Sequence, residues 1–530
     1  MGNVTAKNPI MPGFYPDPSI CAVGEDYYLC NSTFAYFPGL SLMHSKDLAH
    51  WEQIGNVLDR HSQLPLKGAD HSQGLFAPTI RYYNGVFYVI CTNVTHGGNF
   101  IVTATNPEGP WSEPHYLENA DGIDPSLFFD DDGKCYYIGT HPNPDGVKYN
   151  GDWFIYICEV DLENWKLKGE KKNVWNGALK GCIWPEGPHI YKENGYYYIM
   201  HAEGGTGPEH SVMICRSKDI WGPYENNPKN PILTHRHLGK DYPIKYVGHG
   251  DIIKTPNNEW YMTVLAVRPL ERYTTMGRET FLAKFIWEDD WPVVNPGVGM
   301  LTDTVEIDLP EWNPLKDPES YTNRTRRKTA IPGTEREYIF ENMAVLGDEF
   351  LFLRNYPEDM YKLVEGEGLK LKAGKEDIKA VGSPSYVCIR QQHHHFRSSA
   401  IIDISELKAG ETAGLVLMQN NLYNLRAEIT DDKANMILCQ NGEDKVIGSA
   451  DKEKVTKNGI VEVSIVVDGL NTKAYVADVM LGEASVADLS TEVAGGFVGC
   501  CIGIYATANA KDSDTYVTFK ELTYKQLENK

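Results

Sequence analysis

Apolar and polar residues alternate in short runs along the first half of the chain, and a clear example follows Asp17-Pro18. After this pair come an apolar stretch, the turn residues Gly24-Glu25-Asp26 and the aromatic run 27–30. Strands favour β-branched and aromatic residues, and a tight turn favours Gly or Asp, which accept a positive φ. The pattern therefore predicts a β-hairpin over residues 14–30.

The same hairpin layout returns four more times along the chain. The copies can be aligned on one apolar residue each, and these lie 60, 47, 63 and 62 positions apart: Ile20, Ile80, Leu127, Ile190 and Ile252. A second short motif follows each copy and ends in a tryptophan: Trp51, Trp111, Trp165, Trp221 and Trp291. A repeat of roughly 50 residues that consists only of strands is typical of propeller blades. We therefore predict a five-bladed β-propeller.

The pattern changes after the fifth copy. Residues 310–332 are polar and irregular, which is typical of a linker. Beyond them come short alternating runs separated by turns, with almost no helical periodicity, and such spacing indicates a β-sandwich. The predicted fold class is all-β, with a propeller over residues 1–315, a linker over 316–334 and a C-terminal sandwich over 335–530.

Composition narrows the classes of function. A chain of 530 residues suits two domains. A formal net charge of −22 argues against binding to nucleic acid or to anionic membranes, because phosphate groups need basic patches. No apolar run of about 18 residues occurs, so we expect no transmembrane helix. These features are compatible with a neutral substrate.

Cysteine usage suggests a compartment. The chain has 11 cysteines, an odd number, and most of them stand in apolar strands without any Cys-x-x-Cys pair. This usage favours buried free thiols in a reducing cytoplasm over disulfides. The first residues also lack the apolar segment of a secretory signal. We expect a cytoplasmic protein.

Candidate chemistry gathers on the propeller axis, because the first strand of each blade lines the central channel. The five equivalent positions hold Asp17, Ala77, Asp124, Gly187 and His249, and Glu186 precedes the fourth. Buried like charges must be paired or shifted in pKa, which marks functional sites more often than structural ones. Glycoside hydrolysis uses such a set: one carboxylic acid protonates the leaving oxygen, and one carboxylate activates water or attacks the anomeric carbon. A third carboxylate can raise the pKa of the acid.

Several motifs closely resemble those of glycoside hydrolase family 43. They are Phe-Tyr-Pro-Asp-Pro-Ser at 14–19, Gly-Ile-Asp-Pro-Ser at 122–126, Trp-Pro-Glu-Gly-Pro-His at 184–189, Gly-His-Gly-Asp at 248–251 and Gly-Arg-Glu-Thr at 277–280. The second domain, with Ser-Pro-Ser at 383–385 and Arg-Gln-Gln-His at 390–393, resembles the concanavalin-like sandwich of family 43 β-xylosidases. The resemblance covers essentially the whole chain.

The resemblance implies an inverting exo-glycosidase that acts on β-xylosides, α-L-arabinofuranosides or both. It makes Asp17 the general base, Glu186 the general acid and Asp124 the group that raises the pKa of the acid and orients it. Inversion leaves room for a water, so we expect the Asp17 and Glu186 carboxyl groups about 6.5–9.5 Å apart. Arg278 would hydrogen-bond sugar hydroxyls in the innermost subsite.

The remaining implications concern ligands. No cofactor is required, but His249 matches an axial histidine that in several family members helps to hold a divalent ion, often calcium, through waters. The expected partner is a small oligosaccharide, and relatives suggest a homo-oligomer. Phe34 and Phe76 are candidate walls for the sugar, although either could belong to the core.

Some questions stay open at the level of sequence. Phe76 stands where xylosidase-like relatives usually have Trp, so the preference between xylose and arabinose is undecided. The sandwich could shape the pocket or bind carbohydrate itself. Other enzymes on this scaffold are a dedicated α-L-arabinofuranosidase, an endo-arabinanase or an exo-galactanase. A non-catalytic sugar-binding propeller is a further alternative, but it would need no carboxylate trio on the axis.

Overall fold

A computed structural model describes residues 3–179, 181–314 and 332–528 of the chain. The predicted fold class is confirmed: five four-stranded antiparallel sheets are followed by two packed eight-stranded sheets. Along the described ranges, no helix combines the length and the apolar character that crossing a bilayer requires. The predicted linker, 316–334, lies outside the described residues except at 332–334.

Each of the five sheets is one propeller blade, and its four strands pair in the order in which they follow one another along the chain. The first and second blades contain Ser19–Val23, Asp26–Asn31, Gly39–Ser45 and Glu52–Leu58, then Thr79–Tyr83, Val86–Asn93, Gly98–Ala104 and His115–Tyr116. The third blade contains Ile123–Phe129, Cys135–Pro142, Trp153–Asp161 and Lys166–Trp175. The fourth and fifth contain Glu186–Glu193, Tyr196–Glu203, Ser211–Ser217 and Glu225–Asn226, then Lys245–Lys254, Trp260–Val267, Glu279–Glu288 and Trp291–Val294.

The first strand of each blade is its innermost strand. Neighbouring inner strands contact one another around the axis, and the strand of the fifth blade contacts that of the first. A two-stranded ribbon joins the two ends of the propeller, with Val4–Lys7 paired antiparallel to Thr304–Ile307. Apolar side chains between the blades form the core; for example, Ile80, Phe87 and Val89 of the second blade pack with Cys30 and Leu42 of the first.

The C-terminal domain is a sandwich of two antiparallel sheets. One sheet contains Arg336–Ile339, Tyr361–Val364, Gly368–Lys372, His395–Asp403, Ile460–Asp468, Asn471–Val476, Val479–Ser485 and Tyr516–Gln526. The other contains Leu351–Leu353, Ser385–Arg390, Thr412–Asn420, Tyr423–Ile429, Lys433–Gln440, Glu443–Asp451 and Cys501–Thr507. The described helical segments are short: α-helices Lys452–Val455 and Thr491–Ala494, and 3-10 turns Phe340–Asn342 and Val486–Leu489.

All 11 cysteines are free and buried, as their placement in apolar strands indicated. Apolar surroundings favour the neutral thiol, and burial raises the pKa of Cys21 to about 12. These thiols therefore act as small core residues.

The two domains share a sheet. Tyr36–Phe37 leaves the first blade and pairs with Leu351–Leu353, which makes it the edge strand of a sandwich sheet. Arg390 of the sandwich is 2% exposed and donates from Nε to the Phe14 carbonyl at 2.6 Å, three residues before Asp17. The sandwich therefore supports the propeller segment that leads into the axis.

We predict that the propeller depends on this junction for its stability. A fragment of residues 1–314 would expose the apolar side chains of Phe14, Phe34 and Tyr36, which the sandwich buries. We expect it to melt at a lower temperature than the whole chain and to bind a hydrophobic dye in its folded state. The whole chain should unfold in one cooperative transition in calorimetry. A fragment with the same melting temperature and no dye binding would contradict the prediction.

Candidate active site

Local backbone geometry aims the axial side chains into the channel. Asp17, Asp124, Gly187 and His249 stand at equivalent blade positions and all have positive φ, between 49° and 56°. The pairing register of the inner strands shifts at the last three of these positions. Such a bulge re-aims a side chain, and a positive φ at a non-glycine residue costs about 1–3 kcal/mol that the surroundings must offset.

Position 187 requires glycine because of its positive φ and also because of a close neighbour. The ring of His249 lies against it, and a Cβ built on Gly187 would stand 2.7 Å from the imidazole Cε1. No other residue leaves space for the ring while also accepting the positive φ of 56°.

The side chains at this end of the axis enclose a small cavity of about 80 Å³. Its lining includes every site residue that the sequence suggested: Asp17, Phe34, Phe76, Asp124, Glu186, His249 and Arg278. It also includes residues that sequence reasoning missed, namely Ile123, Thr206, His210 and Phe497. A larger cavity of about 1060 Å³ lies elsewhere, between Lys67 and Gly68 of the propeller and the sandwich, and contains none of these carboxyl groups.

Asp17 is held as an ionised carboxylate. Arg278 donates from Nη1 to Asp17 Oδ1 at 2.6 Å and from Nη2 to Oδ2 at 3.2 Å, and Ser32 Oγ donates to Oδ2 at 2.6 Å. Nδ1 of His249 lies 4.0 Å from Asp17 Oδ1. Burial alone would raise the pKa of Asp17, but the charges of Arg278 and His249 and the Ser32 hydrogen bond outweigh it and lower that pKa. Nothing in the repeat pattern marks Ser32.

Glu186 has the opposite environment. Its side chain is half-buried at the cavity, while Asp17 and Asp124 are 4% and 7% exposed. Burial, the charge of Asp124 and then that of Asp17 raise the pKa of Glu186 well above its ordinary value, and only Arg278 opposes them. We infer that Glu186 carries a proton at a pH where Asp17 carries none.

The environment of Asp124 is intermediate between those of Asp17 and Glu186. Its Oδ2 accepts a hydrogen bond from the Gly187 backbone N–H at 3.1 Å, which ties it to the residue after Glu186. Burial raises the pKa of Asp124 to about 6; the charge of Asp17 adds to this rise, and that of His249 opposes it. Above that pKa the Asp124 carboxyl group is ionised, and its negative charge disfavours ionisation of Glu186.

One wall of the cavity is aromatic and comes from both domains. The Phe34 ring centroid lies 5.5 Å from that of Phe76 and 5.9 Å from that of Phe497, which belongs to the sandwich. The guanidinium of Arg278 lies 5.5 Å from the Phe34 ring and 5.6 Å from the Phe497 ring. The sandwich thus completes the cavity, and aromatic faces of this kind suit the apolar side of a sugar.

The described residues do not fit a directly ligated metal ion. No three His, Cys, Asp or Glu side chains within 3–179, 181–314 and 332–528 come close enough to hold one. The Asp17 carboxylate, 4.0 Å from the His249 ring, is already paired with Arg278. A calcium ion held through waters at His249 remains a prediction from the family resemblance.

Comparison with known families gives two matches. Residues 6–292 match the family described as Glycosyl hydrolases family 43. Residues 339–525 match the Beta xylosidase C-terminal Concanavalin A-like domain. The first range covers the five blades up to the start of the last strand, Trp291–Val294, and the second covers most of the sandwich.

Several known proteins are similar to this chain over its whole length. A protein of Butyrivibrio fibrisolvens named Xylosidase/arabinosidase is 50% identical over 536 residues, covering 99% of this chain and 100% of that protein. A non-reducing end alpha-L-arabinofuranosidase of Bacteroides ovatus is 37% identical and covers 99% of this chain and 95% of its own length. Among solved structures, a xylan beta-1,4-xylosidase from Bacillus halodurans aligns with a TM-score of 0.87 at 31% identity, covering 98% of this chain and 100% of that one.

We predict that Asp124→Asn lowers the pKa of Glu186, because the substitution removes a neighbouring negative charge. Burial remains, so this pKa should stay above the ordinary value of a glutamic acid. Carboxyl ¹³C NMR of protein labelled at glutamate would measure it, with Glu186→Gln to assign the signal. The control is Asp121→Asn, which removes the same charge from an exposed side chain paired with Lys171. An unchanged or higher pKa in Asp124→Asn would contradict the assignment.

Proposed function

The chain belongs to glycosyl hydrolase family 43, as its motifs indicated, and is a glycoside hydrolase; from that premise we propose how it acts and on what. We propose an inverting exo-enzyme that releases xylose or arabinose from the non-reducing ends of xylo-oligosaccharides or arabinoxylan fragments. The observation that carries the proposal is the opposite shift of two carboxyl pKa values in one cavity, lowered at Asp17 and raised at Glu186. Environments that separate two carboxyl groups in this way assign one as base and the other as acid.

In the proposed mechanism, Asp17 takes a proton from a water that attacks the anomeric carbon. Arg278 and Ser32 hold the Asp17 carboxylate ionised and fix its orientation. Glu186 gives its proton to the glycosidic oxygen as the bond to the leaving sugar breaks. Asp124 keeps Glu186 protonated before the reaction and, through the Gly187 N–H, holds the adjacent backbone in place.

The shape of the cavity supports exo action. Phe34, Phe76 and Phe497 bound one side of it, and a volume of about 80 Å³ is too small for several sugar residues of one chain. An endo-acting enzyme needs a groove that is open at both ends. We therefore propose that the sandwich limits the enzyme to terminal sugars through Phe497.

Relatives inform the choice of sugar. The Butyrivibrio fibrisolvens relative is named for both xylose and arabinose, and the Bacteroides ovatus relative for arabinose. The ring of Phe76 is smaller than that of a tryptophan. This leaves the cavity wide enough to accept a furanose ring as an alternative to a pyranose ring. We propose activity on both β-D-xylosides and α-L-arabinofuranosides, with a dedicated α-L-arabinofuranosidase as the second candidate.

We also propose a cytoplasmic location and small imported oligosaccharides as substrates. Eleven free buried thiols support a reducing compartment. Self-association into a homo-oligomer is a further proposal that rests on family resemblance alone.

We predict hydrolysis of both nitrophenyl β-D-xylopyranoside and nitrophenyl α-L-arabinofuranoside by the wild-type protein. Glu186→Ala should lower kcat/KM by roughly 10²–10⁴-fold, with a larger loss on xylobiose, because nitrophenolate needs less help from an acid than a sugar does. Glu193→Ala is a matched control at the other end of the same strand, where the carboxylate lies 3.7 Å from Lys254. Full activity of folded Glu186→Ala would refute the acid assignment, and silence of the wild type on both substrates would refute the proposed sugars.

We predict inversion at the anomeric carbon. The first xylose released from a β-xyloside should be the α-anomer, because water attacks from the face opposite the leaving group. Time-resolved ¹H NMR of the anomeric protons would observe it before mutarotation. Early β-xylose would mean retention, which needs carboxyl groups only about 5–5.5 Å apart.

A further inference from the structure

A second layer of polar side chains crosses the propeller axis one step further along the inner strands from the cavity. Every blade contributes to it, and hydrogen bonds join its members, which we call the hub: Ser19, Arg81, Ser126, His189, Tyr191 and Asp251. Most of these side chains are fully buried, and none lines the catalytic cavity. The proposed mechanism uses none of them.

Asp251, from the fifth blade, is the centre of the hub and is 0% exposed. Arg81 of the second blade donates to both of its carboxylate oxygens, at 2.8 and 3.3 Å. Ser19 of the first blade donates from Oγ to Oδ2 at 2.7 Å, and the hydroxyl of Tyr191 in the fourth blade donates to Oδ1. Burial opposes ionisation of Asp251, but Arg81 outweighs it and lowers the pKa of the carboxyl.

His189 connects the third blade to this centre. Arg81 Nη2 donates to His189 Nδ1 at 3.0 Å, and Ser126 Oγ lies 3.0 Å from the same nitrogen. Burial lowers the pKa of His189 to about 3, so the ring is neutral and Nδ1 acts as an acceptor. The five blades are thus joined through one connected set of polar contacts.

Each of four hub residues follows a cavity residue by two or three positions on the same inner strand. Ser19 follows Asp17, Ser126 follows Asp124, His189 follows Glu186 and Asp251 follows His249. The hub residues therefore stand directly after the cavity residues along the inner strands, and the hub and the cavity form successive layers on one axis. The apolar contacts between blades are non-directional, whereas buried charged hydrogen bonds have defined lengths and angles.

We propose that the hub is a positioning device that sets the spacing of the three cavity carboxyl groups, with Asp251 as the positioning residue on which it depends. This inference rests on the proposed function, in which Asp17, Asp124 and Glu186 act together. Misplacement by about 1 Å can cost roughly 10²-fold in rate. Asp251→Asn removes the negative charge, leaves Arg81 as an uncompensated cation, and lets the inner strands of the first, second and fourth blades shift against the fifth.

The test compares Asp251→Asn with Asp130→Asn. Asp130 is also a buried carboxylate, 6% exposed, that accepts from a lysine and a tyrosine of the fourth blade, Lys192 at 2.6 Å and Tyr197 at 2.7 Å. It follows the end of the Ile123–Phe129 strand that lies away from the cavity. Both variants should lower the melting temperature to a similar extent, so the control separates positioning from stability.

We expect Asp251→Asn to lower kcat by about 10–100-fold with KM changed less than about threefold, since the loss is in the alignment of reacting groups. The basic limb of its pH–rate profile should move, because the influence of Asp124 on Glu186 depends on their separation. Asp130→Asn should keep the wild-type kcat and pH profile. Wild-type kcat and pH profile in folded Asp251→Asn would overturn the proposal.

Crystal structures of the two variants provide a readout that needs no substrate. The proposal requires a displacement of a cavity carboxyl group in Asp251→Asn and none in Asp130→Asn, and unmoved carboxyl groups would overturn it whatever the enzyme hydrolyses. Displaced groups combined with a wild type that is silent on both glycosides would refute only the proposed sugars. If Asp251→Asn does not fold, Arg81→Gln/Asp251→Asn removes both charges, and the same displacement is expected in that variant.

Discussion

Three carboxyl groups share one cavity on the propeller axis, and the surrounding structure must offset their mutual repulsion. The bidentate pair between Asp17 and Arg278, at 2.6 and 3.2 Å, neutralises the charge of one of the three carboxylates. The remaining two, Asp124 and Glu186, lie in surroundings that favour the protonated form. A cavity in which Asp17 is ionised while Glu186 keeps its proton has the charge state that acid–base cleavage of a glycosidic bond needs.

Meeting that constraint takes both domains. The guanidinium of Arg278 lies 5.5 Å from the Phe34 ring and 5.6 Å from the Phe497 ring, and its Nε donates to the Phe497 carbonyl at 3.4 Å. A sandwich residue therefore helps to orient the cation that holds Asp17. Arg390 reaches the segment before Asp17 from the other side of the junction. The sandwich is therefore a part of the active site as well as a neighbour of the propeller, and the edge strand Tyr36–Phe37 makes the connection through backbone hydrogen bonds.

Repetition explains how much of this could be read from the sequence. Asp17, Asp124 and His249 recur at one position of a repeated hairpin, so their convergence follows from the symmetry of the blades. Ser32 and Phe497 carry no such mark, because neither the contact between Phe34 and Phe497, 463 residues apart, nor a contact within an irregular loop leaves a periodic signal. The sandwich strand Glu443–Asp451 is mostly exposed and polar, so it lacks the buried alternation on which strand prediction depends.

The layering of the axis has a kinetic consequence. The hub forms the next layer of the axis below the cavity, and Phe497 bounds the cavity on the sandwich side, so under the proposed exo action the terminal sugar occupies its inner end. The shortened chain must depart before the cleaved sugar can escape, and the enzyme cannot slide to the next residue of the same chain. Turnover under this proposal is distributive: every cycle begins with a new encounter, and we expect accumulated monosaccharide to compete with substrate for the cavity.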